Sequence, residues 1–62
     1  MNQIKKMRMQ NLMKQKQLAE LIGGKQATVS AWESGKAFPD HKKLPKLAEI
    51  LRTTTDELLK DD

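Results

Sequence analysis

Cysteine is absent from this sequence, which excludes disulfide bonds and thiolate metal sites. There is one histidine, too few to build a structural zinc centre. No apolar run is long enough to span a bilayer or to form a secretory leader, so neither is expected. Nor is there a Ser/His/Asp arrangement, a glycine-rich phosphate loop or a metal-ligand spacing. The carboxylates are scattered or in capping positions, and a chain of 62 residues is too short to enclose a substrate cleft. Neither an enzyme nor a cofactor is expected. His41 stands alone in a polar loop and is assigned no metal or catalytic role.

One small domain spanning residues 1–62 is what this length allows. Such a domain buries only about 60% of its unfolded surface, so its core must be lean. The absence of cysteine fits a cytoplasmic protein.

What is present begins with charge. The net charge is +4 and the sequence pI is near 9.6, but the distribution says more than the total. Residues 1–36 carry seven Lys/Arg against Glu20 and Glu33, a balance of +5, whereas residues 37–62 carry five basic and six acidic side chains. An anionic partner is therefore expected on the N-terminal half.

Residues 15–35 hold the organising pattern. An amphipathic segment over 15–22 is followed by a glycine-marked turn at 23–25 and a second amphipathic segment over 26–34. Small Ala19 allows two helices to cross closely. Gly23 has the freedom to end the first of them in a left-handed conformation. Val29 and Trp32 turn the second helix's apolar side onto the first. That spacing predicts a helix-turn-helix, whose second helix reads the major groove of DNA. Gly35 closes the second helix. Lys14 is a poor N-cap for the first, because its side chain accepts no hydrogen bond, and the exposed N–H groups there suit a phosphate oxygen.

The flanking chain predicts three more helices and no strand. Asn2 caps a first helix that Asn11 ends in a left-handed conformation, with Ile4 and Met7 facing inward and Leu12 and Met13 supplying apolar contacts beyond it. The methionines near the start read as adaptable core filling rather than a metal or partner surface. Residues 36–44 form a loop anchored by Phe38, in which Asp40 caps a turn over 41–43. Pro45 starts a fourth helix running to Leu51 and burying Leu47, Ala48 and Leu51. Thr54 and Glu57 form a capping box for a fifth helix over 55–60 with Leu58 and Leu59, after which Asp61 and Asp62 fray. The fold class is all-α, with five short helices around one core.

At about 100° per residue, Val29, Trp32 and Glu33 share the inward side of the second motif helix, while Ala27, Ala31 and Ser34 point outward. Ser30 and Thr28 flank that outer face and Gln26 stands at its rim. A small, polar outer face favours DNA over protein packing. Ala27 and Ala31 permit close approach and offer methyls to thymine. Gln26 suits a bidentate contact to adenine, and Thr28 and Ser30 suit a base edge or phosphate. So few strong direct contacts imply a contribution from DNA shape. Lys42, Lys43 and Lys46 either approach the phosphate backbone or form a solvated cluster; Lys5 and Lys6 are read as solvated.

The run Q-x-x-L-A-x-x-I-G at 15–23 with T-V-S-A-W-E-S-G at 28–35 resembles the lambda-repressor-like helix-turn-helix family of phage repressors, Cro proteins and Xre-type regulators. L-P-K-L-A-E-I-L at 44–51 and T-T-D-E-L-L at 54–59 extend the likeness over roughly residues 4–60. The resemblance implies base or nearby backbone contacts at Lys25, Gln26, Ala27, Thr28 and Ala31, to which the reading of the face adds Ser30. It implies phosphate contacts at Gln15, Ser34 and Lys36, with Lys43 the lysine of the loop cluster assigned there too. It also implies a structural salt bridge between Arg8 and Glu33. The sequence departs from the family at Leu12 and Gly24, at Lys25, and at Arg52–Thr53, where a Gly-Val pair is common; the doubled glycine is expected to loosen the turn.

These readings imply a transcriptional regulator, a repressor that binds a pseudo-palindromic operator in double-stranded DNA. It would act as a homodimer, weak when free and joined through Phe38 or Leu59, with no small-molecule effector and no membrane partner. It would be nucleoid-associated when bound. Two alternatives are an antitoxin that also binds a partner protein and an interaction module without DNA binding.

Overall fold

Apolar residues three or four apart, as at Leu18 and Ile22, Val29 and Trp32, and Leu44, Leu47, Ala48 and Leu51, set the architecture. A computed structural model describes residues 3–60. In it α1 runs Gln3–Gln10, α2 Gln15–Ile22, α3 Gln26–Ser34, α4 Leu44–Ile50 and α5 Thr55–Leu58, with no strand among the described residues. The expected cap at Asn2 and the acidic pair Asp61–Asp62 lie outside the described residues.

The helices enclose one core of Ile4, Leu18, Ala19, Ile22, Val29, Trp32, Leu47, Ala48, Leu51 and Leu58, with Met7, Met13 and Ile50 packed at its edge. Ile4, Leu18, Leu47, Leu51, Leu58 and Val29 are buried almost completely, each contributing roughly 1.5–3 kcal/mol by leaving water. α2 packs mainly on α3 and also on α4, while α1 lies across α3 and α5. Trp32 belongs to the core, as its phase on the helix predicted.

Both motif helices end in glycine. Gly23 (φ 79°) and Gly35 (φ 83°) are left-handed. Behind them Gly24 N–H donates to the Ala19 carbonyl at 2.8 Å and Lys36 N–H to that of Ala31 at 3.0 Å. These bonds satisfy the helix-end carbonyls in the six-to-one pattern of a Schellman closure. Gly24 is not left-handed, so only one glycine of the pair is required by the turn.

Several local expectations are corrected. α1 ends not with a left-handed Asn11 but with a left-handed Leu12 (φ 54°). Asn11 is occupied instead as a clamp, its Nδ2 donating to the Met7 carbonyl at 2.8 Å and the Leu51 carbonyl at 2.9 Å. Leu12 is 92% exposed and supplies no core contact; only Met13 packs inward. Arg52, where a family glycine is common, is also left-handed (φ 58°).

In the loop Phe38 is 54% exposed. The neighbouring Pro39 is buried in its place. The turn over 41–43 is held by the Asp40 backbone carbonyl, which accepts from Lys43 N–H at 2.9 Å and Leu44 N–H at 3.1 Å. α4 starts at Leu44, one residue before Pro45, because the missing proline N–H has no partner in a first turn. Leu44 joins the buried set. α5 stops at Leu58, and Leu59 stays 45% exposed. Its cap is half a capping box: Thr54 Oγ1 accepts from Glu57 N–H at 3.1 Å, while the Glu57 carboxylate pairs with Lys60.

Candidate nucleic-acid interface

The interface is assembled on the side of α2 and α3 that the core leaves uncovered. The buried side of α3 is Val29, Trp32 and Glu33. On its other sides Lys25, Gln26, Ala27, Ser30 and Ser34 are exposed, and Thr28 and Ala31 are half-buried. α3 thus presents a polar, short-side-chain surface bounded by Lys25 at its N-cap and Lys36 just past its end. Between those two lysines no exposed side chain is longer than Gln26, so a flat polar ligand such as a base-pair edge meets little steric obstruction there.

Not every assigned donor stands ready. Ser34 Oγ donates to the Ala31 carbonyl at 3.2 Å, so a phosphate contact requires its hydroxyl to swing away from the helix. Lys36 is exposed. Lys43 is half-buried at the N-cap of α4, where its carbonyl accepts from Leu47 N–H at 2.8 Å. At the start of α2, Lys14 supplies no capping acceptor from its side chain. Its backbone N–H donates to Gln17 Oε1 at 2.9 Å instead.

Behind this surface is an ionic cluster. Arg8 Nε donates to Glu33 Oε2 at 2.6 Å and Arg8 Nη2 to Glu33 Oε1 at 3.1 Å, while Arg8 Nη1 reaches the Met13 carbonyl at 2.7 Å. Glu33 Oε1 also accepts from Gln15 Nε2 at 3.0 Å. One carboxylate on α3 therefore ties α1 through Arg8 and the first residue of α2 through Gln15. Burial pushes the Glu33 carboxyl up. The hydrogen bonds from Arg8 and Gln15, with the positive charges of Arg8 and Lys5, more than offset this and hold it below its ordinary value. The bidentate geometry is the kind that makes Arg–carboxylate pairs strong and directional.

A helix-turn-helix family model matches residues 4–58. The chain belongs to the lambda-repressor-like helix-turn-helix family. That is a DNA-binding regulatory family rather than an enzymatic one. The chain is also 40% identical over 45 residues to the HTH-type transcriptional activator BcrR of Enterococcus faecalis, covering 73% of this chain and 22% of that protein. It therefore spans about a fifth of the length of the curated relative it matches. No solved structure matches significantly. Among the described residues no group of His, Cys, Asp or Glu is placed to hold a metal ion, and no helix is long and apolar enough to cross a membrane.

Helix phase and glycine foresaw the helix boundaries of the motif, and the family resemblance implied the Arg8–Glu33 pair. Neither foresaw the bond from Gln15 to Glu33. The spacing of 18 residues between the two carries no local periodicity, and only the crossing of α2 on α3 brings them together.

Proposed function

We propose that this helix-turn-helix domain is a sequence-specific repressor that binds a pseudo-palindromic operator as a homodimer, its two α3 helices entering successive major grooves about 34 Å apart. The observation that carries the reading is the composition of α3's exposed face: small, polar, and bounded by Lys25 and Lys36. Gln26 reads adenine. Ala27 and Ala31 meet thymine methyls, and Lys25, Thr28 and Ser30 contact base edges or the nearest phosphates. Gln15, Ser34, Lys36 and Lys43 hold the backbone and set register without reading sequence. Dimerisation through exposed Phe38 or Leu59 is coupled to DNA binding, and repression follows from excluding polymerase in the cytoplasm, without an effector.

The test is selection of bound duplexes from a random library, followed by affinity measurements over a range of salt. Recovery of a two-fold-related consensus, with affinity falling steeply as salt rises, supports the reading. Binding with no salt dependence sinks it. Gln26→Ala should then relax preference at one position per half-site, whereas Gln15→Ala weakens every sequence alike. An activator is the second reading, favoured by the name of the enterococcal relative. A promoter–reporter pair carrying the selected site decides between them by the sign of the response.

A further inference from the structure

Glu33 lies at the centre of the ionic cluster, and salt bridging with Arg8 does not exhaust its contacts. Its Oε1 accepts from two donors, Arg8 Nη2 at 3.1 Å and Gln15 Nε2 at 3.0 Å. Glu33 is buried on the inner side of α3, while Gln15 is half-buried at the first position of α2. An ionised carboxylate only accepts hydrogen bonds, so the nitrogen end of the Gln15 amide must be the end that faces it. That bond uses one Nε2 hydrogen and leaves the second for an acceptor outside the domain. Arg8 is tied at both ends, to Glu33 and to the Met13 carbonyl, so the carboxylate cannot drift to follow the glutamine.

We propose that Glu33 is a positioning residue for DNA binding: it fixes the rotamer and amide orientation of Gln15, so that the remaining Nε2–H is presented to a backbone phosphate before DNA arrives. This rests on the reading of Gln15 as a phosphate contact. A free glutamine side chain samples many rotamers and both amide orientations, and ordering it during binding opposes association. Ordering it beforehand removes that penalty. The carboxylate that fastens α1 to α3 therefore also sets the affinity of a group on α2.

The experiment is a double-mutant cycle on a duplex of about 20 random-sequence base pairs at low salt, where phosphate contacts dominate. Glu33→Gln, Gln15→Ala and the double variant are measured at a temperature where circular dichroism shows each fully folded. Glu33→Gln should weaken binding about three- to tenfold per bound domain with Gln15 present. In the Gln15→Ala background the same change should cost nothing further. Equal losses in both backgrounds would mean that Glu33 acts only through the fold, and would overturn the proposal. If Glu33→Gln does not fold, side-chain amide relaxation in the unaltered protein replaces the cycle. The Gln15 Nε2 group should be as rigid as the backbone without DNA, and averaging like that of exposed Gln17 would refute the idea. Absence of duplex binding by the unaltered protein would instead count against the proposed function, which keeps the two failures apart.

Discussion

Replacing Leu12 and Arg52 by glycine should make this protein more stable. Both residues hold left-handed backbone, at φ 54° and 58°, which for a side chain with a Cβ costs about 1–2 kcal/mol. Glycine relieves that strain and in return loses roughly 0.5–1 kcal/mol to the greater freedom of its unfolded chain. Little packing is sacrificed, since Leu12 is 92% exposed and Arg52 is exposed as well. The net gain should be about 0.5–1 kcal/mol for each change, equivalent to a rise of several degrees in Tm for a domain this small. Urea unfolding followed by circular dichroism is the assay, with the midpoint moving up and the slope unchanged. Leu12→Ala is the control. Alanine keeps the strained φ, so it should give no comparable gain. A glycine variant that unfolds at lower urea than the parent, or an alanine that matches it, would show that these backbones are not strained. Both residues line one open surface recess of about 350 Å³, so the two gains are expected to couple rather than add.

The Glu33 carboxyl, held below its ordinary value of 4.5, binds its proton more weakly in the folded state than in the unfolded one. It therefore contributes stability that is fully present above about 4.5 and is lost as pH falls through the lowered folded value. Chemical unfolding at a series of pH values should show that acid limb, and Glu33→Gln should flatten it. At neutral pH the same variant should lose about 3 kcal/mol, because Arg8 is left beside a neutral amide. Gly24→Ala should stabilise by roughly 0.4–1 kcal/mol, since a Cβ there meets only Ile22 Cγ2 at an ordinary 3.7 Å; a loss of thermal stability would show that the turn needs both glycines. Thr54→Ala removes the acceptor for Glu57 N–H and should lower the melting midpoint by an amount corresponding to about 1 kcal/mol.

What was legible in the sequence was whatever repeats within a helix. The phase of Leu18, Ala19, Ile22, Val29 and Trp32 located α2 and α3, and glycine fixed their ends. The legible part fades where tertiary contacts override local preference. Asn11 has the chemistry of a left-handed terminator, yet its amide is drawn to the Leu51 carbonyl, 40 residues away, and the unfavourable backbone falls to Leu12. Phe38 looked like an anchor because it is the larger residue, but Pro39 is the one turned inward. On the interface, exposure followed helix phase at Ala27 and Ser34, while Ala31, placed outward by the same phase, is half-buried. The Ser34 hydroxyl turned back on its own helix and the Gln15 amide bound to Glu33 depend on rotamers and on a helix crossing, neither of which a linear pattern encodes.

The Asn11 clamp also bears on the order in which the molecule assembles. α2 and α3 are neighbours along the chain and close on each other through a short turn, so their contacts need little loop closure. The Asn11 bond to Leu51 spans most of the sequence and forms only after α4 has arrived. The helix-turn-helix pair is thus the part of the molecule held by local contacts, while the seam at the end of α1 needs the chain closed over 40 residues.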